Sequence, residues 1–98
     1  MITRIVLLPI NPQSLQGEAF IDLFEKYKAH IAGSKGCCGV KMLRSEEHFL
    51  TYSRWESEAH LNDYRKSAVF GEVWPQTKAL FSGQPKAWTC EELSDQQS

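Results

Sequence analysis

The stretch GCCGVKMLRSEEHFLTYSRW, Gly36–Trp55, decides the fold. From Gly36 to Arg44, Cys38, Val40 and Met42 alternate against Lys41, the period of a strand with two unlike faces. Ser45-Glu46-Glu47 makes a short polar turn. His48–Trp55 then puts Phe49, Thr51, Ser53 and Trp55 on one face and Leu50, Tyr52 and Arg54 on the other. Two such strands joined by three polar residues read as an antiparallel hairpin.

Upstream of the hairpin the period changes. Phe20, Phe24, Tyr27 and Ile31, joined by Leu15 and Leu23, fall at helical spacing and form one apolar stripe. Ser14 is the expected cap and Gly33 the expected stop. Before that helix, Ile2–Leu8 is an apolar run with β-branched members, a strand closed by Pro9. Arg4 is its only charge.

Downstream, Ser57 or Glu58 opens a second helical region. Ser67 caps a further segment expected over Ala68–Phe81, with Pro75 marking a bend or a restart. Gly83 and Pro85 end it, and Gln84–Glu92 is the last strand, Ala87, Thr89 and Glu91 alternating against Trp88 and Cys90. The order is β-α-β-β-α-β, a ferredoxin-like split βαβ of the α+β class. It implies a four-stranded antiparallel sheet with both helical regions on one side. Residues 1–93 make a single domain, and 94–98 a frayed polar tail. Leu50 and Tyr52 lie opposite Phe49 and Trp55, so the far side of the sheet is apolar too. The expected solution is a second copy of the chain, giving a homodimer in which Arg44 and Arg54 face acidic residues of the partner.

Composition narrows the function classes. With 98 residues, 42% hydrophobic and 23% charged, the chain has the balance of one globular domain. Eleven basic residues against twelve acidic ones leave a charge of −1, which offers no electrostatic footprint for nucleic acid. The opening run is too short for a membrane helix and has no small-residue cleavage site, so no membrane association and a cytoplasmic location are expected. Cys37, Cys38 and Cys90 are too few and too oddly numbered for a disulfide framework. His30, His48 and His60 lack metal-ligand spacing, so no metal is expected.

The block Tyr52-Ser53-Arg54-Trp55-Glu56-Ser57-Glu58-Ala59, followed by Tyr64, Ser67 and Phe70, resembles the antibiotic biosynthesis monooxygenase family. Gly36 and Gly39 around the second strand and the closing Leu80…Gly83-Gln84-Pro85 extend the resemblance along most of the chain. What it implies is a dimeric α+β barrel whose monomers each hold a cavity between helices and sheet. It further implies, among other activities, cofactor-free oxidation of phenols or quinols by dioxygen. Trp55 matches the family tryptophan that lines this cavity. Thr51 stands where the phenol oxygenases carry asparagine, and Ser53 where many members carry glutamate. Tyr64 stands where quinol-oxidising relatives have histidine. Trp74 replaces the iron-ligating histidine of the haem-degrading relatives.

The expected catalytic set is therefore Trp55, Thr51, Tyr64 and His60, the last as an acid/base group on the helical wall. Ser53, Phe24, Phe70 and Trp74 are the expected substrate contacts. The same aromatic residues serve equally well as core. The missing glutamate, asparagine and histidines favour a second reading, a ligand-binding or regulatory dimer on the same fold. An isomerase or lyase using His60 with Tyr64 is a third.

Overall fold

Apolar alternation and cap placement together produce the observed element order. In the computed structural model, which describes residues 1–94, β1 is Ile2–Leu8, α1 Leu15–Ala32, β2 Cys37–Arg44 and β3 Phe49–Trp55. They are followed by α2 Glu58–Arg65, α3 Ala68–Lys78 and β4 Lys86–Glu91. The expected polar tail lies, from residue 95 on, outside the described residues.

Each helix begins where a serine is available to take an orphan amide. The Ser14 hydroxyl accepts from Gly17 N–H, Ser57 from His60 N–H and Ser67 from Phe70 N–H. Gly17 tolerates no side chain, because a Cβ there would sit 2.5 Å from the Asn11 carbonyl oxygen. The last helix ends at Lys78 rather than at Phe81 and runs through Pro75 without interruption. The carbonyl that Pro75 leaves unpaired belongs to Gly71, which is exposed and can turn to solvent.

The strands form one antiparallel sheet in the order β2-β3-β1-β4. Register makes Phe49, Thr51, Ser53 and Trp55 partners of Leu8, Val6, Arg4 and Ile2, so these eight share the face under the helices. The core is Leu8, Ile10, Phe20 and Phe49, all at most 3% exposed. Phe20 meets Phe49 at 5.0 Å between ring centres.

Three expectations are corrected. First, the sheet does not close into a barrel. β2 and β4 each pair along one side only, and four strands are too few to curl round on themselves when about eight make the smallest filled barrels. Second, a bulge between Cys37 and Gly39 removes Cys38 from the face it was expected to share with Val40 and Met42. Gly36 at φ +81° and Gly39 at φ +145° supply the backbone for it, and Cys38 ends exposed while Cys37 is half-buried.

Third, Arg54 is engaged within its own chain. Its Nε and Nη2 donate to the two oxygens of Glu92 at 3.0 and 2.9 Å, and the Thr3 hydroxyl donates to the same carboxylate at 2.7 Å. These hydrogen bonds, first from Arg54 and then from Thr3, lower the Glu92 pKa below its ordinary 4.5. A carboxyl whose folded pKa is depressed contributes stability above its unfolded value and loses it as pH falls through the folded one. Thermal melts of the native protein between about pH 6 and pH 2 are therefore expected to fall below about pH 4.5, more steeply than those of Glu92→Gln. Parallel curves for the two proteins would contradict this role.

Candidate functional site

The helices leave a cavity of about 260 Å³ between themselves and the sheet. Its floor is made of strand residues with inward parity: Arg4, Val6 and Leu8 of β1, Val40 of β2, Thr51 and Ser53 of β3. Phe20, Phe24 and Ile31 of α1 close one side. Leu61, Tyr64 and Arg65 of α2, with Phe70, Val73, Trp74 and Thr77 of α3, close the other. Arg65, Lys86 and Ala87 are exposed, which sets the mouth along the edge strand β4.

Tyr64, Phe70 and Trp74 of the wall belong to a longer train of aromatic rings. Trp55 stacks on Tyr64 at 5.0 Å, Tyr64 meets Phe70 edge-on at 5.4 Å, and Phe70 stacks on Trp74 at 5.8 Å. Trp74 then meets Phe81 edge-on at 5.8 Å. Spacings of this kind are the favourable range for ring pairs and hold each ring by its neighbours.

Six of the residues singled out in the sequence meet in this cavity: Thr51, Ser53, Tyr64, Phe24, Phe70 and Trp74. Trp55 does not line it. It is wholly buried, it stacks on Tyr64, and its indole N–H donates to the Ser53 hydroxyl at 3.0 Å. That bond occupies the donor that a substrate oxygen would need. His60 also lies elsewhere. Its ring packs against Gly36, at the site a Cβ would claim, and its Nδ1 is 2.8 Å from the Ser57 hydroxyl.

The polar atoms that do reach the cavity are of one kind. Thr51 and Tyr64 hydroxyls have no hydrogen-bond partner among the described residues, and Ser53 keeps its own O–H after accepting from Trp55. Burial, with a smaller contribution from Cys37, pushes the Tyr64 pKa up to about 12, so it is a donor and not a base at neutral pH. Burial likewise raises the Cys37 thiol above its ordinary value. Three cations, Arg4, Arg65 and Lys86, line the cavity, and among the described residues no carboxylate or imidazole does.

Arg4 and Arg65 were not anticipated as site residues. Arg4 Nη1 donates to Thr89 Oγ1 at 2.6 Å, across the β1–β4 pairing. Burial first, and the Arg65 charge second, lower its pKa from the ordinary arginine value. The signal for Arg4 was present in the sequence, as the one charge in an apolar strand and on its inward parity. Arg65 carried no comparable signal.

A split-βαβ sheet with an apolar, hydroxyl-lined cavity under its helices places the chain among small α+β domains with space between sheet and helices. The family model for antibiotic biosynthesis monooxygenases matches residues 1–74, and the chain belongs to that family. Among solved structures it is similar to Rv0793 from Mycobacterium tuberculosis, at TM-score 0.85 and 16% identity over 96% of both chains. A Nitrosomonas europaea protein described as a candidate antibiotic biosynthesis monooxygenase aligns at TM-score 0.85 and 14% identity, covering 96% of this chain and 100% of that one. A Bordetella bronchiseptica protein described in the same way aligns at TM-score 0.79 and 22% identity, covering 95% and 97%. At these identities the structural likeness speaks for the fold alone. No curated protein matches the chain.

Proposed function

We propose that this family member is a cofactor-independent monooxygenase that oxidises a small phenolic or quinol compound with dioxygen. The observation that carries the reading is the cavity itself, aromatic on its walls and offering O–H and N–H donors, with no carboxylate among the described residues. Such a lining favours an electron-rich ring and the oxyanion it forms on losing its phenolic proton. In a phenol-to-quinone reaction, one atom of dioxygen enters the ring carbon opposite the hydroxyl. The other leaves as water with the two hydrogens lost from the phenol, so no external reductant is required.

Thr51, Ser53 and Tyr64 hydroxyls are then the oxyanion donors, and Phe24, Phe70 and Trp74 hold the ring. Trp55 acts as a positioning residue through Ser53 and Tyr64. With no carboxylate or imidazole in the lining among the described residues, the proton leaves through the mouth to solvent. That feature also favours the second reading, a dimer that binds an aromatic ligand without turning it over. In either reading the chain works as a homodimer, paired through the uncovered sheet face where Leu43 and Trp88 are each 46% exposed.

Oxygen-electrode measurements with a panel of naphthols and hydroquinones decide between the two. Substrate-dependent oxygen uptake above the uncatalysed rate, without added metal or flavin, is the expected result. Saturable binding with no uptake would leave the binding reading in place of the enzyme.

A further inference from the structure

The cavity is otherwise apolar, yet two guanidiniums reach it from different elements, Arg4 from the middle of β1 and Arg65 from the end of α2. Neither has a carboxylate partner among the described residues, whose ion pairs are Glu25–Lys28 and Arg54–Glu92. Arg4 is partly buried, and its side-chain hydrogen bond among the described residues is to the neutral Thr89 hydroxyl. An arginine placed in a cavity without a counter-charge is a standing cost to the fold unless a ligand supplies the charge. It is also the side chain best shaped to take a planar anion by two parallel hydrogen bonds.

We propose that the ligand of this cavity is an aromatic carboxylate, its acid group seated on Arg4 and Arg65 and its ring against Phe70 and Trp74. The proposal rests on the reading of the cavity as an aromatic ligand site and adds the acid group. It places that group on the β4 side of the cavity, near the mouth. A carboxylate is favoured over a phosphate ester because a single charge is less costly to desolvate against Val6 and Phe24 than a double one.

The test uses isosteric, unreactive probes on the intact protein. Calorimetric titration with 2-naphthoate and with 2-naphthamide is expected to give the acid at least roughly tenfold tighter binding. Arg65→Gln, on the exposed rim, and Arg4→Gln should each reduce that preference, weakening the acid by a larger factor than the amide. Rising salt should weaken the acid alone. Equal affinities for acid and amide, or a preference untouched by Arg65→Gln, would overturn the proposal while the aromatic site stands. Tighter binding of 2-naphthyl phosphate would overturn the carboxylate assignment. Failure of all three probes to bind would remove the aromatic site and this proposal together.

Discussion

Replacing Trp55 with alanine is expected to destabilise the domain by about 3–5 kcal/mol, the range for deleting a buried large aromatic. The residue is 0% exposed and one of the largest fully buried side chains in the chain. Its removal takes away the ring that Tyr64 stacks on and the donor that orients Ser53. Domains of this size have about 5–15 kcal/mol to lose, so the variant should retain a cooperative but much lower melt. At roughly 4–8 °C per kcal/mol for domains of 60–100 residues, calorimetry should register the change without ambiguity. Trp55→Phe keeps a ring against Tyr64 but loses the N–H and part of the buried ring area, and it is expected to fall between the two. An alanine variant melting within a few degrees of the native protein would exclude Trp55 from the core.

Tyr64→Phe should have the opposite signature, a large loss of turnover with little change in melting. Its ring contacts with Trp55 and Phe70 survive the substitution, while the hydroxyl has no hydrogen-bond partner to lose among the described residues. If that hydroxyl stabilises the substrate oxyanion, kcat falls by roughly 10²-fold, as for removal of one preorganised oxyanion donor. Because burial pushes the Tyr64 pKa up to about 12, it stays protonated through the accessible range. The native pH–rate profile should therefore lack a limb from this group below about pH 11, and any rise should follow the substrate's own phenol. An unchanged kcat in Tyr64→Phe would dismiss the donor role.

The two sets of expectations fared differently for physical reasons. Strand and helix identities were readable because each element has one dominant period and a visible stop, as in Phe20, Phe24 and Ile31 or in the Ser14 and Ser67 caps. The site was readable where a residue's face follows from parity alone, which holds for Thr51 and Ser53 on β3. It was not readable where a face depends on a backbone irregularity, as the bulge at Gly39 turns Cys38 outward. Nor does sequence report depth. Trp55 and Tyr64 belong to one stack, but only their order in the stack decides which of them meets a ligand. His60 is outside the cavity for a related reason: its ring fills the space that a side chain at Gly36 would take, a long-range contact that no local pattern reports.

The three tryptophans occupy three environments, with Trp55 sealed, Trp74 in the cavity wall and Trp88 at 46% exposure on the uncovered sheet face. They act as separate optical reporters of the core, the cavity and the outer surface. A ligand entering the cavity should quench the emission of Trp74 alone. Association through the sheet should shield Trp88 from an aqueous quencher. Only unfolding should reach Trp55. Single-tryptophan variants would thus separate occupancy, self-association and loss of structure by fluorescence, without labelling the protein.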